Sequence, residues 1–324
     1  MDPFTTTART APRARVVTVT DREATEAFRP LPSHIQVMVE RGLRGITWKL
    51  NTREAWLSLL STQDMVGLKV YSSPGQNSGT RPAVAAAVAK SWIAAGLPPR
   101  QIVVWDKSEM DLQEAGFFSL VDELGIRVQA SVSAGYDPTN FYDTPLIGNL
   151  VWGDFEFGKT GEGIGRKSFV SKLVSRELTK IINLTPLLNH NLAGVSGNLY
   201  GLAIGSVENT LRFETDPTRL AKAVPEIYAL PAVGDKVVLS ITDALICQYE
   251  GGQRGLLHYS TVLNQLRFSR DPVALDMLSV KELDRQRRAA RAPYVKPNFE
   301  LYVNANLLEL GVNDVTRIQV DTLK

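Results

Sequence analysis

Short runs of apolar, β-branched residues alternate along this chain with longer stretches whose apolar positions recur at helical spacing. Arg15-Val-Val-Thr-Val-Thr20 reads as a strand, and two short helical segments follow around 33–43 and 52–61. The rhythm becomes regular at Met65. Met65-Val-Gly-Leu-Lys-Val-Tyr71 is a buried strand, and Pro82 opens a helix that dense Ala and Val carry to Ala95 before Gly96 stops it. Gln101-Ile-Val-Val-Trp-Asp106 is the next strand, then a helix near 108–124 and a strand over 126–130. Such β-α-β-α-β alternation predicts an α/β fold: a mainly parallel sheet with helices on both faces.

From Gly135 to Lys167 the pattern breaks into a Gly-rich excursion holding Tyr136-Asp-Pro-Thr139 and Asp143-Thr-Pro145. A helix is expected over 169–177, then a strand over 178–184 running into Thr185-Pro-Leu-Leu-Asn-His-Asn191. Helices near 195–204 and 217–229 lead to the strand Lys236-Val-Val-Leu-Ser-Ile-Thr-Asp243. A strand over 262–268, a helix capped by Asp271-Pro272, a helix over 298–310 and a strand over 316–320 complete the reading. In domain terms, residues 1–13 are expected to be a disordered tail or vector-derived scar, and 14–63 an N-terminal extension. Residues 64–324 then form one α/β domain, divisible into lobes 64–150 and 151–324.

The 324 residues carry 36 Lys and Arg against 34 Asp and Glu, a net charge of +2 that argues against a nucleic-acid-coating surface. The single cysteine, Cys247, excludes an intrachain disulfide framework and an iron–sulfur cluster ligated by this chain alone, and its apolar neighbours make it a small core residue. No run is long and apolar enough to span a membrane. The start, Met1 to Arg15, lacks an apolar signal core, and Met1-Asp-Pro-Phe-Thr5 looks vector-derived, which leaves both export and a cytoplasmic location open.

Several expected strands finish on polar groups, Lys69 and Ser72, Asp106 and Lys107, and Asp243, while Asn189 and His190 stand in the loop that follows the strand 178–184. Ligands of open parallel sheets bind outside the carboxyl ends of the strands. These ends therefore nominate Lys69, Asp106, His190 and Asp243 as catalytic groups around one cleft. His190, flanked by two asparagines, reads as a general base or metal ligand against the alternative of a structural histidine. Arg81, Asn189, Asn198, Arg166 and Lys167 are candidate ligand contacts. His190, Asp243 and Glu250 form a candidate set for a divalent metal. His34 and His258 read as structural or surface residues.

Gly153-Asp-Phe-Glu-Phe-Gly158-Lys159-Thr160 satisfies the phosphate-loop spacing G-x-x-x-x-G-K-[ST]. Its four loop positions carry two carboxylates and two phenylalanines, which repel phosphate and block its approach, so ATP binding through this loop is rejected. Residues 153–168 are instead expected to cover the cleft as a lid, with Phe155 and Phe157 inward and Arg166 and Lys167 reaching an anion. The run Lys281-Glu-Leu-Asp-Arg-Gln-Arg-Arg-Ala-Ala-Arg291 is basic but interrupted and has no interleaved aromatics. It reads as a complement to a helix dipole rather than a nucleic-acid surface.

Six segments in order resemble the domain of unknown function 362 family. They are Val66-Gly-Leu-Lys69 with Thr80-Arg-Pro82 and the strand ending at Asp106; Lys180-Ile-Ile-Asn-Leu-Thr-Pro186 with His190; Gly194-Val-Ser-Gly-Asn198-Leu-Tyr-Gly201; Thr242-Asp243 with Glu250-Gly-Gly252; Asp271-Pro-Val-Ala-Leu-Asp276; and Leu310-Gly-Val-Asn-Asp314. The likeness spans about 64 to 321. Leu188, Asn198 and Tyr200 stand where the family usually has Lys, Lys and Asn, which removes positive charge. The resemblance implies no settled activity; some members carry an iron–sulfur cysteine cluster that this chain lacks, and some are exported on twin-arginine signals. The N-terminal half is also distantly similar to the nickel-pincer lactate racemase family, implying a cofactor or metal crevice at the same place. The leading expectation is an enzyme-like protein holding a small anionic ligand, metal or cofactor at the strand ends. The alternative is a non-catalytic binding or scaffold protein with the same fold.

Overall fold

A computed structural model describes residues 13–144, 165–252, 254–292 and 298–324. Strands run in chain order as β1 (Ala14–Thr20), a small hairpin of β2 (Thr25–Glu26) and β3 (Arg29–Pro30), β4 (Val66–Lys69), β5 (Ile102–Asp106) and β6 (Arg127–Ala130). They continue as β7 (Tyr136–Asp143), β8 (Lys167–Ser171), β9 (Lys180–His190), β10 (Gly194–Val195), β11 (Val237–Gln248), β12 (Ser260–Ser269) and β13 (Ile318–Leu323). The main sheet has the order β13-β1-β12-β11-β9-β4-β5-β6, with β10 attached to β9. From β11 to β6 every pairing is parallel, as is β1 with β13; β12 runs antiparallel between β11 and β1.

Side chains alternate across this sheet and bury a core on each face. Val66, Leu68, Val104, Ile182, Leu184, Ile241 and Phe268 pack with Ile35, Val39, Leu43, Val88 and Trp92 from the helices Pro32–Thr47 and Pro82–Ala95. Val103, Trp105, Ile181, Leu187, Ala244 and Cys247 pack with Leu199, Leu202, Val224, Leu283 and Tyr302 from helices on the other side. The expected α/β fold with helices on both faces is therefore the observed one. The helix starts follow local chemistry: Asp271 caps Pro272–Ala290 by accepting from the Ala274 N–H at 2.8 Å, and Asp216 caps Pro217–Tyr228 in the same way.

Three expectations are corrected. Residues 169–177 are not a helix: Lys167–Ser171 is strand β8, followed by one π turn over Leu173–Glu177. Its partner β7 lies inside the stretch read as irregular, and the cross-strand rings Phe141 and Phe169 meet at 5.7 Å. The helix expected near 108–124 is two helices, Glu109–Glu114 and Ser119–Leu124, with Gly116 at φ +85° between them. His190 is the last residue of β9 rather than part of the loop after it. The tail expected over 1–13 lies outside the described residues except for Arg13, and so does the phosphate-loop-like segment 153–160.

Candidate functional site

The strand order reverses direction once. From β4 the chain winds outward to β5 and β6, and later returns to place β9 and then β11 on the other side of β4. The carboxyl ends of β4 and β9 therefore flank a topological switch point, where the two outgoing loops run in opposite directions. The polar residues named from the sequence gather on these ends, but they do so as two buried ion pairs and one separate histidine.

The first pair joins β4 to β5. Lys69 is 0% exposed, and its Nζ donates to Asp106 Oδ1 at 2.8 Å and to the Val70 carbonyl at 2.5 Å. Asp106 also accepts from the Ser72 N–H and hydroxyl, both at 2.7 Å, and from the Lys107 N–H at 2.8 Å. Burial pushes the Lys69 ammonium below its ordinary pKa, and the Asp106 carboxylate draws it part of the way back. The second pair joins the loop after β4 to β11. Asp243 Oδ2 accepts from the Arg81 guanidinium at 2.9 Å and from the Arg81 N–H at 3.2 Å, while its Oδ1 accepts from the Leu245 N–H. Between the pairs, the Tyr71 N–H donates to Thr80 Oγ1, whose hydroxyl donates to the Leu184 carbonyl of β9. Both expected cations thus neutralise both expected acids, and their hydrogen bonds hold four neighbouring strand ends in register.

Gly205 covers the first pair. A Cβ added there would stand 2.2 Å from Lys69 Cε and 3.3 Å from Asp106 Oδ1. Gly205→Ala is expected to cost about 1–3 kcal/mol by overpacking, read as a lowered urea midpoint with unchanged m. A change below about 0.5 kcal/mol would mean that Lys69 has room to move.

His190 is built differently. Gly194, at φ +86°, closes the tight turn between β9 and β10, and this turn aims two backbone donors back at the histidine. The Leu192 and Ala193 N–H groups donate to His190 Nδ1 at 3.2 and 3.0 Å. Nδ1 is thereby an acceptor, so in the neutral ring the proton sits on Nε2. Burial lowers the His190 pKa to about 4, which keeps the ring neutral. The ring lies against Tyr200 at 4.2 Å, and Tyr200 meets Tyr71, on the loop after β4, edge-on at 6.3 Å. Among the described residues nothing accepts from Nε2. His190 is therefore a preorganised neutral donor beside the switch point, and the general-base reading does not fit a ring whose free nitrogen already carries the proton.

The remaining candidates are tied elsewhere. Asn189 Oδ1 accepts from the Gly252 N–H at 2.8 Å, fastening the loop after β11 to the end of β9. Asn198 is fully buried at the start of the helix Asn198–Ser206. Its N–H and Nδ2 donate to Asp276 Oδ1, and Asp276 Oδ2 accepts from the Leu199 N–H. Arg166 pairs with Asp143, Lys167 lies over the Phe141 ring, and Glu250 pairs with Arg287 at 3.1 Å. The proposed metal set is not assembled. Among the described residues no three His, Cys, Asp or Glu side chains form a group able to hold a metal. Asp243 and Glu250 are each occupied by an arginine, and metal binding by His190 Nε2 would require the proton to move to Nδ1, against two N–H donors. Burial raises the Cys247 thiol to about 12, which leaves it unreactive.

Sequence reasoning did not connect Tyr200, whose ring lies against His190, to the hydrogen-bond chain that leads away from its hydroxyl. The Tyr200 hydroxyl donates to Glu214 Oε1 at 3.2 Å, Thr210 donates to Glu214 Oε2 at 2.8 Å, and Lys107 Nζ donates to Thr210 at 2.6 Å. The one available signal was Lys107, which follows Asp106 at the end of a strand.

Residues 66–281, about two thirds of the chain, match the family described as Domain of unknown function (DUF362). No curated protein matches the chain. A structural-genomics crystal structure of a protein from Thermotoga maritima is similar at 11% identity and a TM-score of 0.43, covering 83% of this chain and 61% of that one. The chain thus spans less than two thirds of that protein's length. Among the described residues no helix is long and apolar enough to cross a membrane.

Proposed function

The chain belongs to the DUF362 family, and on that premise we propose that it binds a small molecule through a carbonyl or carboxylate oxygen at the carboxyl ends of β4 and β9, with His190 as the neutral hydrogen-bond donor. The observation that carries this reading is the His190 ring itself: Nδ1 holds two backbone N–H groups, and Nε2–H has no acceptor among the described residues. His190 is only partly buried, so Nε2–H, held rigidly by the two bonds to Nδ1, is open to an acceptor oxygen from a ligand at the switch point. A neutral imidazole also polarises a carbonyl without transferring its proton, so the same arrangement serves binding or electrophilic catalysis. The positive charges of Lys69 and Arg81 are already balanced by Asp106 and Asp243, so the ligand is recognised by its acceptor oxygen rather than by net charge.

The test uses pyruvate, which offers both oxygen types, and acetate, which offers only the carboxylate. Either probe should shift the His190 Nε2–H resonance saturably. His190→Phe keeps a ring against Tyr200 but removes the N–H, and should weaken binding about tenfold or more, the loss expected for one buried hydrogen bond. Unchanged affinity in His190→Phe, or a His190 signal that neither probe moves, contradicts the assignment.

A further inference from the structure

A second site lies on the same face of the sheet as the helix Asn198–Ser206 but on the far side of the helix Pro272–Ala290. That long helix presents Asp276 to Asn198 and Leu199 on one flank. On the other flank it forms, with β1, β12 and β13, a groove of about 540 Å³. Thr18, Gln265, Arg267, Val320 and Thr322 supply the floor, and Leu278, Lys281, Glu282, Asp284, Arg285 and Arg288 supply the wall.

The floor is unusual for a sheet face because it holds an arginine. Arg267 is only 7% exposed, and its neighbours in β12, Leu266 and Phe268, point into the opposite core. Its Nε and Nη2 both donate to Gln265 Oε1, at 3.3 and 2.9 Å. Its Nη1 has no acceptor among the described residues. The nearest carboxylate, Glu282, stands 3.9 Å from Nη2, beyond hydrogen-bond reach.

The wall decides the sign of the groove. Glu282 already accepts from Arg285 at 3.1 and 2.6 Å and from Gln286 at 2.7 Å. Asp284 pairs with Arg288 at 2.7 Å. Each acid is thus answered by an arginine of its own helix. Arg267 shares Glu282 with Arg285 through a looser contact at 3.9 Å and Lys281 has no acid of its own, so the four cations of the groove outnumber its two acids and the concave surface is net positive. A buried guanidinium with an unused N–H matches the fork geometry of an oxyanion.

We infer that this groove binds a small oxyanion, the phosphate or carboxylate group of a ligand, with Arg267 as the buried anchor and Lys281 as the rim contact. Thr18 and Thr322 add hydroxyls beside the anchor, and Leu278 and Val320 accommodate an apolar portion. The site is separate from His190 and does not depend on the reading given for it.

Calorimetric titration of the full chain with inorganic phosphate and with succinate, at constant ionic strength, tests the inference and separates the two oxyanions. At least one should bind saturably at a single site. Arg267→Gln should weaken that binding about tenfold or more, as loss of a charge-assisted hydrogen bond does. Lys281→Gln should weaken it about two- to fivefold, as loss of an exposed charge does. Lys90→Gln removes the same charge from an exposed helix position elsewhere and should leave binding unchanged. If Arg267→Gln fails to fold, as circular dichroism would reveal, Lys281→Gln against Lys90→Gln decides. The inference is overturned if neither anion binds saturably, if Lys281→Gln binds as wild type does, or if Lys90→Gln weakens binding equally.

Discussion

Lys69→Met destabilises the protein by about 3–5 kcal/mol, the loss typical when one partner of a buried ion pair is removed. The reason is what remains. Asp106 stays almost wholly buried, still accepting from Ser72 and Lys107, but its charge no longer has a counterion. Lys69 itself is enclosed by Gly205 above and by the Trp105 ring 5.5 Å from Nζ, so water has no ready route to replace it. The double variant Lys69→Met with Asp106→Asn removes both charges while keeping an acceptor for Ser72. It should recover part of the loss, with a coupling of about 1 kcal/mol or more between the two positions. Urea unfolding of the four proteins measures this. A single-variant loss below about 1 kcal/mol would show that the pair is hydrated and not a fixed part of the strand ends.

Asp276→Ala is expected to cost a similar amount, about 3–5 kcal/mol, because it strands three buried donors: the N–H groups of Asn198 and Leu199 and the Asn198 side-chain amide. Its pH signature is distinctive. Burial raises Asp276 to about 6, so the folded state binds more protons than the unfolded state between that value and the ordinary 3.8. Stability from this group therefore rises as pH falls through 6. His190 has the opposite sign. Its folded pKa of about 4 lies below the ordinary 6.5, the unfolded state takes up more protons in between, and stability is lost as pH falls through that window. In the wild type the two trends largely offset each other. In Asp276→Ala the histidine term is no longer opposed by Asp276, and the stability loss between pH 6.5 and pH 4 should become steeper than in the wild type, by at most about 3 kcal/mol. Thermal unfolding across this range measures it. A pH dependence in Asp276→Ala as flat as that of the wild type would contradict the pairing of these two shifts.

The architecture was legible because the central parallel strands β4, β5, β9 and β11 are buried on both faces and long helices carry local signals, Pro82 and Gly96 at the two ends of one and Asp271-Pro272 at the start of another. β8 was not legible. Ser168-Phe-Val-Ser171 has no strand identity until β7 supplies Phe141 opposite Phe169, and that partner sits in a stretch whose Gly and Pro content hides it. The strand-end polar residues were legible as a set, but their use was not. Lys69 meets Asp106 across 37 positions and Arg81 meets Asp243 across 162. Spacing along the chain carries no record of which charges cancel. The groove at Arg267 was hidden for the same reason: the basic run beginning at Lys281 reads as a helix terminus until the sheet places the Arg267 guanidinium opposite it.

The central claim, that His190 is a neutral Nε2–H donor at the switch point, is tested most directly by nitrogen NMR of the imidazole across pH 3–8. The geometry predicts a protonated Nε2, an Nδ1 that accepts hydrogen bonds, and titration only near pH 4. A proton on Nδ1, or titration near the ordinary value of 6.5, would contradict it and restore the histidine as a candidate base or metal ligand.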